Sequence, residues 1–315
     1  MDGIVQTTDD FPQPHHVQGR ASIADLFPPG KRCGLYILHF ANGEIYAGQA
    51  LDVTRRYVQH RKVHDDIDEI SFRRVDRDRL DEEERDLIWD LEQSGHRLRN
   101  IVFTSIPKGE SDFDLVMPVA EQERWLHDLR MVEISDERAI EPELRRKYRR
   151  RYQQFLQLPH AAQALDILKA YARCGIPAFR RGEVSFWCVS CMPGRGVYAR
   201  INIHWQEVLT MFAEENELRL SLHMADSPFA LLSDEALALL FEHHPTVEVT
   251  QHQYKPGGPD QVNFALPAPA AGPFFSDPEV LPAIRLFNLR LMKKGPCNFG
   301  RYHCMDLADA LIGDD

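Results

Sequence analysis

The sequence has no long apolar run, and this absence excludes a membrane-spanning helix. No window approaches 18 uncharged apolar residues, and the best candidate, FALLSDEALALLF, is interrupted by Ser233-Asp234-Glu235. The first twenty residues have neither a basic segment nor an apolar core, so they do not resemble a secretory signal. We therefore expect no membrane partner.

Regularly spaced cysteines are also absent. The 315 residues contain six cysteines without a repeating interval, which excludes a dense disulfide framework. This usage is typical of a protein in the reducing cytoplasm, and we expect a cytoplasmic location. No internal repeat is present either.

Positive charge is scarce. The chain has a net charge of -11, whereas binding to nucleic acid is normally driven by Lys and Arg. Net charge says little about local patches, so this counts only mildly against a DNA-binding protein. With 43% hydrophobic and 27% charged residues, the chain is globular and large enough for two domains.

The stretch Cys33–His60 contains a predicted β-hairpin. Two apolar runs, Leu35–Phe40 and Glu44–Ala47, flank the dipeptide Asn42-Gly43. Asn-Gly between two such runs is the strongest short hairpin signal in a sequence. We therefore predict two antiparallel strands joined at this dipeptide.

A helix is predicted directly after the hairpin. Asp52 stands where a helix N-cap belongs, and Arg56 and His60 follow four residues apart. Residues at that spacing project from one face of a helix. Together with Tyr36 and Tyr46 on the two strands, they form a constellation of polar side chains that core packing alone does not explain.

A second helix carries an unusual glutamate. After a predicted third strand, Ile67–Val75, the helix Arg79–Ser94 ends before Gly95. Glu84 lies inside its apolar stripe, and a carboxylate there is costly unless it is paired or binds a metal. An ion pair with an arginine and a metal site are both compatible with this position. The stripe consists of Leu80, Leu87, Ile88 and Leu91.

These motifs resemble the GIY-YIG nuclease superfamily over residues 33–101. The two tripeptides that name the family stand here as Gly34-Leu35-Tyr36 and Tyr46-Ala47-Gly48. The family's arginine corresponds to Arg56, and the histidine of its homing-endonuclease branch corresponds to His60. Its metal-binding glutamate and a following asparagine correspond to Glu84 and Asn100. Leu35 and Ala47 are apolar replacements, and Gln49 stands where the repair branch often has a lysine.

The resemblance implies a fold, a chemistry and a set of roles. The fold would be a small three-stranded antiparallel sheet flanked by helices, and the reaction would be hydrolysis of DNA phosphodiester bonds. A single Mg²⁺, or Mn²⁺, would stabilise the leaving oxygen. The catalytic residues would be Tyr36 as general base, Tyr46 positioning water or phosphate, Arg56 on the phosphate, His60 relaying a proton or binding phosphate, Glu84 holding the metal, and Asn100.

The whole chain is predicted to be an α+β protein with several regions. These are a polar extension (1–30), the nuclease-like domain (31–105), a helical linker (106–175) and a second α+β domain for target recognition (176–315). Helices are predicted at Val119–Met131, Glu141–Leu156, Ala161–Ala172, Trp205–Glu215, Ser233–Glu242 and Asp277–Met292, and a loop at Pro267–Pro273. Strands are predicted at Glu183–Val189, Gly196–Ile203, Leu218–His223, Val247–His252 and Val262–Leu266.

The densest basic run lies in the middle of the predicted linker. Such a run is typical of an exposed, solvated helix face. It is equally typical of a helix that follows DNA phosphates, and Tyr148 and Tyr152 would then be available to stack on bases. An acidic protein that concentrates positive charge beside a nuclease-like module favours DNA slightly. The DNA-binding candidates are Arg145, Arg146, Lys147, Arg149, Arg150 and Arg151.

A zinc site is a second candidate in the C-terminal region. Cys188 and Cys191 form a C-x-x-C pair, and Cys297 and Cys304 could supply the other ligands. The second pair is separated by six intervening residues and lies over a hundred residues away. Free or packing cysteines therefore explain the pattern at least as well.

The sequence thus supports two hypotheses of different classes. The first is a metal-dependent DNA endonuclease that serves restriction or defence, a mobile element or repair. The second is a DNA-binding or scaffold protein with a vestigial nuclease module. Every expected catalytic residue is present, which favours the enzyme.

Overall fold

A computed structural model describes residues 11–100, 111–131, 135 and 137–313 of the chain. The chain divides into two compact units, residues 1–109 and 110–315. The predicted boundary at 105/106 and the first ten residues of the N-terminal extension lie outside the described residues. Within the described ranges, no helix has the length and apolar character needed to cross a bilayer.

The first unit contains a four-stranded antiparallel sheet with helices. The strand order is β1-β4-β2-β3, so β2 is a central strand. The elements are β1 (His15–His16), β2 (Gly34–Phe40), β3 (Ile45–Ala50), α1 (Val53–Arg61), β4 (Ile67–Arg74) and α2 (Leu80–Gln93).

The prediction of three strands was wrong by one short strand. His15 and His16 pair with Ile70 and Glu69 of β4 through the backbone, while their side chains stay exposed. Such a bridge needs only backbone groups, so a polar, proline-containing segment gives no side-chain signal for it.

The predicted hairpin is confirmed. Gly43 adopts a φ of +82°, a left-handed conformation that glycine tolerates, and the Asn42 Oδ1 accepts from the Glu44 backbone N–H at 3.1 Å. β3 continues to Ala50, beyond the predicted end at Ala47, and pairs with β2 along its length.

Both faces of β2 are buried, which explains why its sequence is continuously apolar. Leu35 and Ile37 pack with the apolar stripe of α2 on one face. Tyr36 and Leu38 alternate to the other face, where they pack with α1 and the N-terminal segment through residues such as Val53. The sheet is therefore a central layer between two apolar clusters.

The second unit combines helices with a six-stranded antiparallel sheet of order β5-β6-β7-β8-β10-β9. The helices of the predicted linker belong to this unit. Its elements are α3 (Val119–His127), α4 (Pro142–Phe155), α5 (Ala161–Gly175), β5 (Trp187–Cys191), β6 (Val197–Ile203), β7 (Gln206–Glu214), β8 (Glu217–Met224), α6 (Asp234–His243), β9 (Glu248–Thr250), β10 (Val262–Pro267), α7 (Ala268–Ser276), α8 (Leu281–Lys293) and α9 (Met305–Ile312).

The helix predicted at Trp205–Glu215 was wrong, since this segment is β7. It pairs with β6 on one side and β8 on the other. The turn to β8 uses Glu215 and Asn216, both with positive φ, as a two-residue hairpin turn requires. Only Asn216 is a usual residue for that conformation, so the turn signal was weak.

The loop predicted at Pro267–Pro273 was also wrong, because helix α7 begins at Ala268. Pro269 lies in the first turn, where a missing backbone N–H costs nothing. The helix is stabilised by burial of Phe274 and Phe275. Helix α9 was not predicted.

A buried arginine connects the helices of the second unit. Arg285 of α8 is fully buried, and its guanidinium lies 4.5 Å above the Trp125 ring. Burial lowers the pKa of this arginine. Its N–H groups are satisfied by main-chain carbonyls instead of a carboxylate. The acceptors are Trp125, Asp128 (2.8 Å), Leu129 (3.1 Å), Met131 (3.1 Å) and Cys174 (2.8 Å).

A Gly34→Ala substitution should destabilise the first unit. An added Cβ would lie 2.0 Å from the Arg73 carbonyl oxygen, so the strands β2 and β4 would have to separate locally. We expect a loss of about 3 kcal/mol in the free energy of unfolding, measured by denaturant titration with circular dichroism. Gly272→Ala is the control, since its site in α7 is open. Equal stability of Gly34→Ala and wild type would contradict the packing described here.

Candidate active site

The centre of the candidate site is the phenol of Tyr36. Tyr36 pairs with Gly48 across the hairpin, and it is only 1% exposed. A Cβ on Gly48 would lie 2.6 Å from the Tyr36 hydroxyl and 3.0 Å from Cε1 of Tyr46. Only glycine at this position leaves room for both phenols.

Helix α1 brings two further side chains to the phenol. Asp52 caps the helix, accepting from the backbone N–H groups of Thr54 and Arg55 at 3.0 and 3.3 Å. The confirmed helix places His60 Nε2 2.7 Å from the Tyr36 hydroxyl, and Arg56 Nε donates to the same hydroxyl at 3.3 Å.

Tyr46 completes this group. Its ring centroid lies 4.6 Å from that of His60 and 6.2 Å from that of Tyr36. The structure therefore brings Tyr36, Tyr46, Arg56 and His60 together, as the hairpin and helix spacing led us to expect.

Burial determines the charge state of the phenol. Burial raises the pKa of Tyr36 well above its usual range, and Tyr46 adds to this effect. Arg56 acts in the opposite direction but does not outweigh burial. Burial raises the pKa of Tyr46 as well. Both phenols are therefore protonated at neutral pH in the protein alone.

His60 is a neutral imidazole at neutral pH. Burial, followed by the charges of Arg56 and His64, lowers the pKa of His60 to about 4. In the tautomer that leaves Nε2 without a proton, His60 accepts from the Tyr36 hydroxyl, whose oxygen also accepts from Arg56. The pair is thus arranged for proton transfer from Tyr36 to His60.

Glu84 faces the end of β3 from helix α2. It is 8% exposed, and its carboxylate accepts from the Gln49 backbone N–H at 3.0 Å and from Gln49 Nε2 at 2.9 Å. Burial, together with nearby Asp81, raises the pKa of Glu84. Its charge in turn contributes to the raised pKa of both Tyr36 and Tyr46.

The donor set at Glu84 fits a magnesium ion. Mg²⁺ in proteins is usually held by one or two carboxylates and keeps several waters. Glu84 supplies one carboxylate, and Asp81, which accepts from the same Gln49 Nε2 at 2.6 Å, supplies a second nearby. No group of three or more His, Cys, Asp or Glu side chains suitable for a metal exists among the described residues.

Gln49 is a site residue that sequence reasoning missed. It was noticed only as a departure from a lysine, whereas it holds both oxygens of Glu84. Its position directly after Gly48, on a strand predicted to lie beside the helix of Glu84, could have indicated a contact between Gln49 and Glu84.

Asn100, expected to be catalytic, forms two hydrogen bonds with β3. Its Oδ1 accepts from the Ala47 backbone N–H at 2.9 Å, and its Nδ2 donates to the Ala47 carbonyl at 2.5 Å. The amide thus satisfies the outer edge of β3 as a neighbouring strand would. Asn100 positions the strand that carries Tyr46 and Gly48.

The basic run on α4 divides into paired and exposed residues. Arg145 donates to Asp306 at 2.8 Å and to Asp309 at 2.5 Å, both on α9, and Arg149 lies 3.7 Å from Asp306. These arginines are engaged within the second unit, which weakens their assignment to DNA.

The expectation that Tyr148 is available for stacking was wrong. It is 4% exposed in the core, and its hydroxyl donates to the Arg301 carbonyl at 2.9 Å. Tyr152 is half-buried, with its ring stacked 6.2 Å from Phe155.

Lys147 is exposed, but its ammonium lies 3.4 Å from the Arg301 carbonyl. Arg146, Arg150 and Arg151 are exposed and form no ion pair with any residue that the structure describes. These three arginines are the part of the run best placed for phosphate.

The four predicted zinc ligands do not form one group. Cys188 and Cys191 are three apart on β5, so their side chains lie on opposite faces of the strand. Cys188 meets Cys297 and Cys191 meets Cys304, and hydrogen bonding within each pair, with burial, raises the pKa of Cys188 and Cys191. These four cysteines are free thiols in two separate pairs.

Comparison with known protein families, curated proteins and solved structures finds no match to this chain.

The low pKa of His60 has a measurable consequence. By NMR, we expect its imidazole to titrate near pH 4, and an Arg56→Gln variant to titrate higher because a neighbouring cation is removed. Since the usual value is 6.5, the unfolded chain binds this proton first. The stability from a neutral His60 is therefore present above pH 6.5 and is lost as the pH falls toward 4. Titration near 6.5 would contradict this geometry.

Proposed function

We propose that the protein is a metal-dependent DNA endonuclease of the GIY-YIG type. The observation that carries the proposal is the Tyr36 hydroxyl between His60 Nε2 and Arg56 Nε, with the buried carboxylate of Glu84 nearby. The resemblance of residues 33–101 to this superfamily supports the same chemistry.

Tyr36 and His60 act together as the general base. As the attacking water loses its proton to the Tyr36 oxygen, the phenol proton passes to Nε2 of His60. The relay avoids a free phenolate, which the raised pKa of Tyr36 disfavours. It also uses a histidine that stays neutral, and is therefore able to accept a proton, across the physiological range.

Arg56 binds the phosphate of the scissile bond. Arg56 is exposed on α1, yet its Nε reaches the buried phenol of Tyr36. The guanidinium is therefore accessible to DNA from solvent and also contacts the proposed base. A planar guanidinium matches the oxygens of a phosphate and stabilises the charge that develops on them.

Glu84 would hold a magnesium ion, with Asp81 as a nearby second carboxylate. The bound ion supplies positive charge for the leaving 3′-oxygen. Gln49 fixes the orientation of Glu84 through its two hydrogen bonds.

The second unit would bind and select the DNA. The exposed arginines of α4 supply positive charge in a chain with a net charge of -11. The biological process that uses the cut, whether restriction or defence, a mobile element or repair, would depend on what this unit selects.

A DNA-binding protein with an inactive nuclease module is the second candidate. It is favoured by the raised pKa values of Tyr36 and Glu84, because protonation of these groups opposes base catalysis and metal binding. The two candidates differ in whether Mg²⁺ elicits cleavage.

DNA cleavage distinguishes them directly. With Mg²⁺ and plasmid or single-stranded DNA, we expect wild type to cut, and Arg56→Ala and Glu84→Gln to lose about 100-fold or more in rate. Arg55→Ala and Glu82→Gln are matched controls, since both residues are exposed on the same helices. Equal rates for all variants, or no cleavage by any, would exclude the catalytic proposal.

The salt dependence of DNA affinity tests the basic run. Every phosphate that the protein no longer neutralises should reduce the slope of log K against log salt by about 0.9 for duplex DNA. We expect this reduction for Arg146→Gln and Arg150→Gln, and a smaller one for Arg145→Gln, whose guanidinium is paired with Asp306 and Asp309. Identical slopes for all variants would remove α4 from the DNA interface.

A further inference from the structure

A cavity of about 330 Å³ opens in the second unit beside the C-terminal end of α4. Its lining comes from α4, the strands β5 and β6, the start of β7 and the segment Phe299–Tyr302. We propose that this cavity binds one unstacked nucleotide, with the base inside and the phosphate at the rim. The inference rests on the proposed function in taking DNA as the source of the nucleotide.

The floor of the cavity contains a polar side chain that lacks a partner. Asn202 is 4% exposed and lines the cavity, and its side-chain amide makes no hydrogen bond to any described residue. The amide therefore offers a donor and an acceptor to whatever fills the cavity. A ligand that offers one acceptor and one donor, as the edge of a nucleobase does, would pair with both.

The charges beside Asn202 cancel one another. Arg200 pairs with Glu207 at 2.7 Å, and Arg200 Nε is buried without a hydrogen-bond partner among the described residues. Glu207 also accepts from the Tyr254 hydroxyl at 3.1 Å. A floor of this kind suits a neutral ring with several polar atoms better than an anion or an apolar group.

The walls and the mouth carry aromatic rings. Tyr302 lines the cavity and is 42% exposed, and Phe299 lines it from the same segment. Trp205, which is 56% exposed, packs edge-on against Phe299 with ring centroids 6.3 Å apart. Exposed aromatic rings are stacking surfaces for unpaired bases.

A single cation stands at the rim. Arg151, the last residue of the basic run, lines the cavity, is exposed and forms no ion pair with any described residue. Tyr148, one turn earlier, donates to the Arg301 carbonyl and so joins α4 to the segment that carries Tyr302. A phosphate on Arg151 would therefore leave its base directed toward the polar floor.

The binding of mononucleotides and DNA to the full chain tests this proposal. The probes are the four deoxynucleoside monophosphates, a short single strand, a fully paired duplex and the same duplex with one unpaired nucleotide. The variants are Asn202→Leu, which keeps a similar volume without the amide, and Arg151→Gln, whose exposed site should tolerate the change. Arg195→Gln is the control, since it removes the same charge at an exposed position that lies outside the basic run and outside the cavity lining.

We expect wild type to bind at least one mononucleotide, and the duplex with an unpaired nucleotide about tenfold more tightly than the paired duplex. Arg151→Gln and Asn202→Leu should lose that tenfold preference, while Arg195→Gln keeps it. Mononucleotide binding without a preference among the DNA probes would identify a free nucleotide as the ligand.

Absence of mononucleotide binding together with equal affinity for both duplexes would overturn the proposal. The proposal is also overturned if Arg195→Gln and Arg151→Gln have the same effect on the preference. Either failure leaves Mg²⁺-dependent cleavage by the first unit unaffected, so the two proposals are tested separately.

Discussion

The candidate site depends on one close approach, in which the Tyr36 phenol lies over the bare Cα of Gly48 on the paired strand. This arrangement requires the register of β2 and β3, because a slip of one residue would turn Tyr36 to the opposite face. It also sets the depth at which the phenol is buried. His60 and Arg56 approach a hydroxyl whose position is already fixed by the sheet. The geometry of the site therefore depends first on the pairing of β2 with β3, and only then on the individual side chains.

Much of this site could be predicted from sequence, because local geometry determines it. The turn at Asn42-Gly43 sets the pairing of the two strands, which puts both tyrosines on one face, and a capped helix places residues four apart on one side. The charge state of Tyr36 could not be predicted in this way. Its pKa depends on how completely the surrounding fold excludes water. That exclusion results from the packing of many residues that are distant in the sequence. The hydrogen bonds of Gln49 and Asn100 were missed for a related reason, since both bond to partners far along the chain.

Elements outside the site were predicted less well where local and global signals disagree. β7 has a composition that also suits a helix, and only pairing with strands on both sides determines its conformation. In α7, prolines suggested a loop, yet one occupies the first turn and the helix gains from burying Phe274 and Phe275. The cysteine pattern was misleading because its meaning depends on local structure. A C-x-x-C spacing lets both sulfurs bind one zinc ion when it lies on a turn, but on the extended strand β5 it directs the two side chains to opposite faces.

The buried guanidinium of Arg285 determines what can be exchanged between proteins by recombination. Its acceptors are carbonyls at the end of α3, in the segment after it, and in α5, while the arginine itself belongs to α8. A recombinant in which a foreign segment shifted the main chain at those positions would leave a charge in the core without compensation. Exchange is therefore tolerated where the backbone of α3 and α5 keeps its position relative to α8, whichever side chains those helices carry.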